Sequence, residues 1–223
     1  MTKNNRIWIY SFVVMGILIM TASGCVKKDT SEDPIVFKTV KIGNQEWMAE
    51  NLKVTKYRNG DPISYVESNT QWMNLTTSAY CNYDNNIANA DTYGRLYNWY
   101  AINDSRNIAP IGWHVPTSEE WEILVNYVGL NYASDWLRET GNIHWYGDNT
   151  KATNEYGFTA LPSGMRYLDG TYSGIGLYGA WWTSTIDYSI ACYWSLGIFS
   201  NYVQELYTDR QAGFAVRCVK DQP

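Results

Sequence analysis

The spacing of apolar and polar residues divides the chain into β-rich ends around a helical middle. Phe37-Lys38-Thr39-Val40-Lys41-Ile42 alternates with a period of two, the pattern of a half-buried strand. Gly43-Asn44 then reads as a tight hairpin turn into a second strand over Gln45–Leu52, and Asn59-Gly60-Asp61-Pro62 marks a further turn. From Tyr93 the period lengthens. Tyr93, Leu96, Tyr97 and Tyr100 fall at i, i+3, i+4 and i+7, which predicts a helix over Thr92–Asn103 with an aromatic buried stripe. A second helix is marked by Thr117 after Pro116, with Glu120 three residues on to complete a capping box. Trp121, Leu124, Val125 and Val128 line one of its faces, Gly129 ends it, and Ala133–Glu139 reads as a third, short helix.

Beyond residue 155 the pattern returns to β. Gly157–Leu161, Gly164–Leu168 and Thr171–Tyr172 are strand candidates, with Asp169-Gly170 as the turn between the last two. Ala180–Thr185, Ala191–Ile198, Tyr202–Tyr207 and Gly213–Val219 follow, with Asp209-Arg210-Gln211 in the last turn. Strands at both ends bracketing two main helices predict an α+β domain with a mostly antiparallel sheet and paired terminal strands.

The first residues follow a different logic. Lys3 and Arg6 precede an almost wholly apolar run of 14 residues, Ile7 to Met20, too short to span a bilayer comfortably and of the length of a signal-peptide core. Ala22-Ser23-Gly24-Cys25 resembles the lipobox of bacterial lipoproteins, with Ala22 where Leu is usual. The pattern predicts a signal peptide over 1–24, acylation of Cys25, a polar tether over 25–36 and a globular domain over 37–223; plain secretion with cleavage near Gly24 is the alternative. Each buried acyl methylene contributes about 0.8 kcal/mol, so several chains hold a protein on a membrane without a transmembrane helix. Residue 27 is Lys rather than Asp and so gives no inner-membrane retention signal of the familiar kind, which favours the outer membrane, facing the periplasm or the outside.

Removing residues 1–24 takes away two of the 17 basic residues and none of the 22 acidic ones, leaving 15 against 22 and a net charge of −7. That balance argues against nucleic acid as a partner, which needs clustered Lys and Arg. With Cys25 acylated, Cys81, Cys192 and Cys218 permit one bridge and one free thiol. The aromatic surplus, 11 Trp and 19 Tyr in 223 residues, suits a core and also wet or sugar-like interfaces.

Several runs together resemble one family. They are Glu46-Trp47-Met48-Ala49-Glu50-Asn51-Leu52, Tyr93-Gly94-Arg95-Leu96-Tyr97-Asn98-Trp99-Tyr100-Ala101 and Gly112-Trp113-His114-Val115-Pro116-Thr117. To these are added Asn154-Glu155-Tyr156-Gly157-Phe158-Thr159-Ala160-Leu161-Pro162, Trp181-Trp182-Thr183-Ser184 and Gly213-Phe214-Ala215-Val216-Arg217-Cys218-Val219. In order and from about residue 38 onward they resemble the Fibrobacter succinogenes major paralogous domain, a module of envelope lipoproteins. The resemblance implies a C-type-lectin-like fold, shared with formylglycine-generating enzymes, and only weakly a function. Cys81 and Cys218 stand where the family has cysteine, which implies a Cys81–Cys218 bridge; a cross-strand Cys192–Cys218 pair and no bridge are the alternatives.

Chemistry is sparse. The histidines are His114 and His144, with no second histidine spaced to make a metal pair with His114. There is no HExxH motif, nucleophile elbow or phosphate loop. His114, between Trp113 and Val115, reads first as a packed residue holding its turn. The cysteines do not match the copper-binding pair of formylglycine-generating enzymes, and the sugar-binding runs of calcium-dependent lectins are missing. Asp148, Asn149, Asn154 and Glu155 offer oxygen ligands within one loop, a candidate Ca²⁺ set set against solvated turn residues. Trp145, Trp181, Trp182 and Trp194 are the candidate ligand-stacking rings: adjacent Trp181 and Trp182 in a strand point to opposite faces, so one reaches solvent unless both faces are covered, and the reading preferred over stacking is a core role in a strand covered on both sides. Two functions survive: a non-catalytic envelope module binding glycan or protein, and an enzyme with dispersed groups, of which His114, Arg166 and Glu155 are the ones to test.

Overall fold

The hairpin that opens the domain forms as its alternation predicts. β1 (Thr39–Ile42) and β2 (Gln45–Met48) pair antiparallel with Val40 opposite Trp47, and Ile42 and Trp47 are buried. The computed structural model describes residues 37–222. The expected signal peptide, Cys25 and tether at 1–36 lie outside the described residues. In chain order the remaining elements begin with β3 (Ser64–Tyr65), α1 (Asn69–Met73), β4 (Ala79–Cys81), α2 (Ile87–Tyr93), β5 (Leu96–Tyr97) and α3 (Trp99–Ile102). Then come β6 (Trp113–His114), α4 (Ser118–Val128) and α5 (Ala133–Leu137). The C-terminal part holds β7 (Ser163–Arg166), β8 (Tyr172–Ile175), β9 (Tyr178–Asp187), β10 (Ile190–Gly197), β11 (Ser200–Thr208) and β12 (Val219–Lys220).

Three sheets result, in the orders β1-β2-β12-β6, β11-β10-β9-β7-β8 and β3-β4-β5. All pairings are antiparallel except β3 with β4 and β7 with β9, so the domain is α+β with mostly antiparallel sheets. The terminal strands do meet: Val219 of β12 pairs with Trp47 of β2. Among the described residues, no helix is long and apolar enough to cross a membrane.

α4 follows its sequence closely. The Thr117 hydroxyl accepts from the Glu120 N–H while the Glu120 carboxylate accepts from the Thr117 N–H, a complete capping box. Trp121, Leu124, Val125 and Val128 are buried against β9 and β10.

Three predicted elements are corrected. The helix over Thr92–Asn103 is instead the end of α2, the strand β5 and the short α3. Gly94 breaks it with φ +82°, a left-handed value that side-chain-bearing residues resist, and the Asn98 side chain caps a new helix by accepting from Ala101 N–H. The strand over Gly157–Leu161 does not form: Asn154 and Thr159 both take positive φ, and only Ala160 makes a bridge, to Arg138. Of Gly213–Val219 only the end is strand. Gly213, Phe214 and Ala215 make single bridges to Arg166, Tyr97 and Trp181, threading the chain between sheets rather than along one.

Candidate functional site

The four tryptophans offered for stacking are all inside. Trp145, Trp181 and Trp182 are fully buried and Trp194 retains 6 % of its surface. Trp181 and Trp182 do point to opposite faces of β9, but both faces are covered: Trp181 packs with Trp121 and Phe158, Trp182 with Tyr193 and Phe214. Their indole N–H groups donate inward: Trp145 to Ala160 O, Trp181 to Asn51 Oδ1, Trp182 to Tyr97 O and Trp194 to Ser118 Oγ. A ring packed this way has no face to offer a ligand, so the core reading of these four holds and the stacking role is withdrawn.

The Cys81–Cys218 bridge is not formed, nor is Cys192–Cys218. The three thiols are free and buried, and each packs in a different hydrophobic cluster. Burial raises all of them, Cys81 to about 11, which keeps them protonated and weakly nucleophilic.

Two of the four loop residues have a side-chain oxygen tied into local contacts, whereas Asn149 Oδ1 is buried without a hydrogen-bond partner among the described residues. Asp148 Oδ1 accepts from Thr150 N–H and Oγ1–H, Asn154 Oδ1 accepts from Thr159 N–H, and Asn149 Nδ2 donates to the carbonyls of Glu139 and Gly141. Glu155 faces water. Among the described residues no group of three or more His, Cys, Asp or Glu side chains is placed to hold a metal ion.

His114, Arg166 and Glu155 are not brought together. His114 lies with Nδ1 2.8 Å from Asp221 Oδ1 and Nε2 2.8 Å from Glu120 Oε1. The Glu120 contact, opposed by partial burial and helped by Asp221, raises the imidazole above its usual pKa. Arg166 is buried between the rings of Trp72 and Tyr172 and donates to Gly170 O, Val66 O, Glu67 O and Asn69 Oδ1. Its guanidinium ties the 66–72 segment to the turn and strand at 170–172.

The rings that do reach solvent lie elsewhere. Tyr127 on α4, Tyr156, Trp136 on α5 and Tyr132 form a continuous strip, with neighbouring centroids 6.1, 6.3 and 5.6 Å apart in that order. Trp136 and Tyr156 rest half-buried on the core, while Tyr127 and Tyr132 are 59 % and 51 % exposed. Local structure sets the strip: a Cβ at Gly129 would lie 2.9 Å from the Trp136 ring, so the residue that ends α4 with φ +103° also clears room for the indole. Exposed Ile123 and Leu130 flank it on the α4 side. Sequence reasoning missed it, although Ile123 and Tyr127 stand at i and i+4 off the buried stripe of α4, placing two large apolar side chains on its outer side.

Among the clefts on the described surface are two lined by clustered polar side chains. A cleft of about 560 Å³ at the start of α4 is lined by Glu119, Glu122 and Glu205 above Trp194. There Ser118 Oγ donates to Glu205, with the Cys192 thiol beside both. The other, of about 510 Å³, opens between β3, the α1–β4 connection and the segment after α3.

A family model described as the Fibrobacter succinogenes major domain matches residues 40–220. No curated protein and no solved structure matches the chain.

Proposed function

The chain belongs to the Fibrobacter succinogenes major domain family, and from that premise we propose that it is an exported, lipid-anchored envelope protein whose domain binds a neutral polysaccharide without transforming it. The observation that carries this is the exposed strip Tyr127–Tyr156–Trp136–Tyr132. Pyranose rings present flat C–H faces that stack on aromatic rings, while the phenol and indole polar atoms at the ring edges remain free to hydrogen-bond hydroxyls. Four rings in sequence suit a chain of sugars better than a single unit, and their polar atoms are uncharged, which suits a neutral one.

Anchoring rests on the residue pattern ending at Cys25, with the outer membrane as the location. The non-catalytic part draws support from the structural engagement of His114 and Arg166 and from the protonated, buried thiols. A lectin-like arrangement is part of the same proposal, supported by β12 pairing with β2 so that both ends of the domain share one sheet. The second reading, a protein partner, is favoured by one observation: the aliphatic flank of Ile123 and Leu130.

Retention of the full-length protein, in mild detergent, on insoluble cellulose, xylan and chitin tests the glycan reading. Retention by at least one, weakened about tenfold in a Tyr127→Ala/Tyr132→Ala variant with unchanged melting temperature, is the expected result. Equal retention of the variant, or none of the wild type, contradicts it; capture of an envelope protein that depends on Ile123 and Leu130 would support the second reading instead. Cys25→Ser is expected to move the protein from the membrane to the soluble fraction, and a variant that stays membrane-bound contradicts anchoring through that thiol.

A further inference from the structure

The cleft between β3 and the segment after α3 shares no residue with the ring strip. Its floor is Tyr57, 3 % exposed, whose hydroxyl is buried close to the Ser78 hydroxyl and the Asp104 carboxylate without a hydrogen bond of good geometry to either. That is costly in a folded protein unless something from outside completes the bond. Ser78 and Asp104 are the side chains beside it.

The walls are polar and already ordered. Arg106 holds Asp104 in a two-pronged contact, Nε to Oδ1 at 2.9 Å and Nη2 to Oδ2 at 2.7 Å, and lies 4.2 Å over the Tyr57 ring. Ser78 Oγ is 3.1 Å from Asp104 Oδ2, and Arg106 Nη1 reaches Asp61 at 3.3 Å. Ser64, Thr76, Thr77, Asn103 and Ser105 complete a lining rich in hydroxyl and amide groups. Arg106 is matched by two carboxylates, so the site has no spare positive charge for a phosphate or a carboxylate ligand. A planar carboxylate–guanidinium pair instead presents acceptors and donors side by side, the arrangement that adjacent hydroxyls of one sugar ring satisfy in pairs.

We propose that this cleft is a second binding site, taking a single neutral sugar unit whose hydroxyls complete the bonds of Tyr57, Asp104 and Arg106. Its source is a free monosaccharide or the end of a glycan chain. It goes beyond the ring strip, and either site functions without the other.

The test uses the full-length protein titrated calorimetrically with glucose, galactose, mannose, xylose, N-acetylglucosamine and glucuronate, with glycerol as the small-polyol control. At least one neutral sugar is expected to bind, glycerol and glucuronate more weakly. Tyr57→Phe removes one oxygen and keeps the ring beneath Arg106, so it is expected to weaken that sugar about tenfold with a melting temperature equal to or above wild type. Arg106→Gln is expected to abolish binding. Stronger binding of the matching reducing-end-blocked oligomer than of the free sugar identifies a chain end as the source; equal binding identifies the free sugar. Absence of binding by every neutral sugar, glucuronate binding more tightly than all of them, or undiminished affinity in Tyr57→Phe overturns the proposal. Loss of retention in the Tyr127→Ala/Tyr132→Ala variant has no bearing on this titration, which keeps the two failures distinguishable.

Discussion

Arg217 shows how much of the molecule depends on single residues that the sequence does not advertise. It is 1 % exposed, has no ion-pair partner among the described residues, and lies over the rings of Phe158 and Trp181. Nε donates to Asn51 Oδ1 and the fork donates to the carbonyls of Phe158 and Thr159. Burial pushes its pKa down to about 9, still charged at neutral pH. Carbonyl dipoles and ring faces replace water around the charge. Arg217→Ala would orphan two carbonyls and leave a cavity, so it is expected to lower the unfolding free energy by about 3 kcal/mol in urea titrations. A loss below about 1 kcal/mol would mean the guanidinium is not the brace described. The tryptophans teach the same lesson in reverse. Aromatic residues in a strand were legible, but whether both faces of that strand are covered is decided by α4 and by Phe214, far away in the chain.

Elements were legible where one local rule acted alone. The β1–β2 hairpin and α4 follow from alternation, a Gly-Asn turn and a capping box. The region 92–103 failed because two rules conflicted: the spacing of Tyr93, Leu96, Tyr97 and Tyr100 is helical, yet Gly94 and Asn98 stop and restart the chain. His114 ties three elements together, joining β6 to the start of α4 through Glu120 and to the residue after β12 through Asp221. Because its folded pKa is raised above the unfolded value of about 6.5, the clasp is fully formed below that pH and is lost as pH rises through the folded value. The melting temperature of wild type relative to His114→Gln should therefore be higher at pH 6 than at pH 8. Since the groups are partly in water, the difference should correspond to less than about 1 kcal/mol. A gap that is constant across that range would contradict the clasp.

At the scale of the whole molecule, a ring-rich domain buries its tryptophans apart from the half-buried Trp136 and leaves mostly tyrosines among the rings at the surface. The fold class and the family were legible from runs of residues, because those runs specify local turns and core contacts. The candidate site was not, because Tyr127, Tyr132, Trp136 and Tyr156 come from two helices and two loops that only tertiary packing aligns. Titrating the protein with soluble cello-, xylo- and chito-oligosaccharides while following its aromatic ¹H–¹³C correlations reports on every ring at once. The expected result is that the binding oligomer shifts the signals of Tyr127, Tyr132, Trp136 and Tyr156 together and leaves those of Trp145, Trp181 and Trp182 in place. Shifts that fall on other rings while these four stay still, or spectra that no oligomer changes, would contradict the strip as the binding surface.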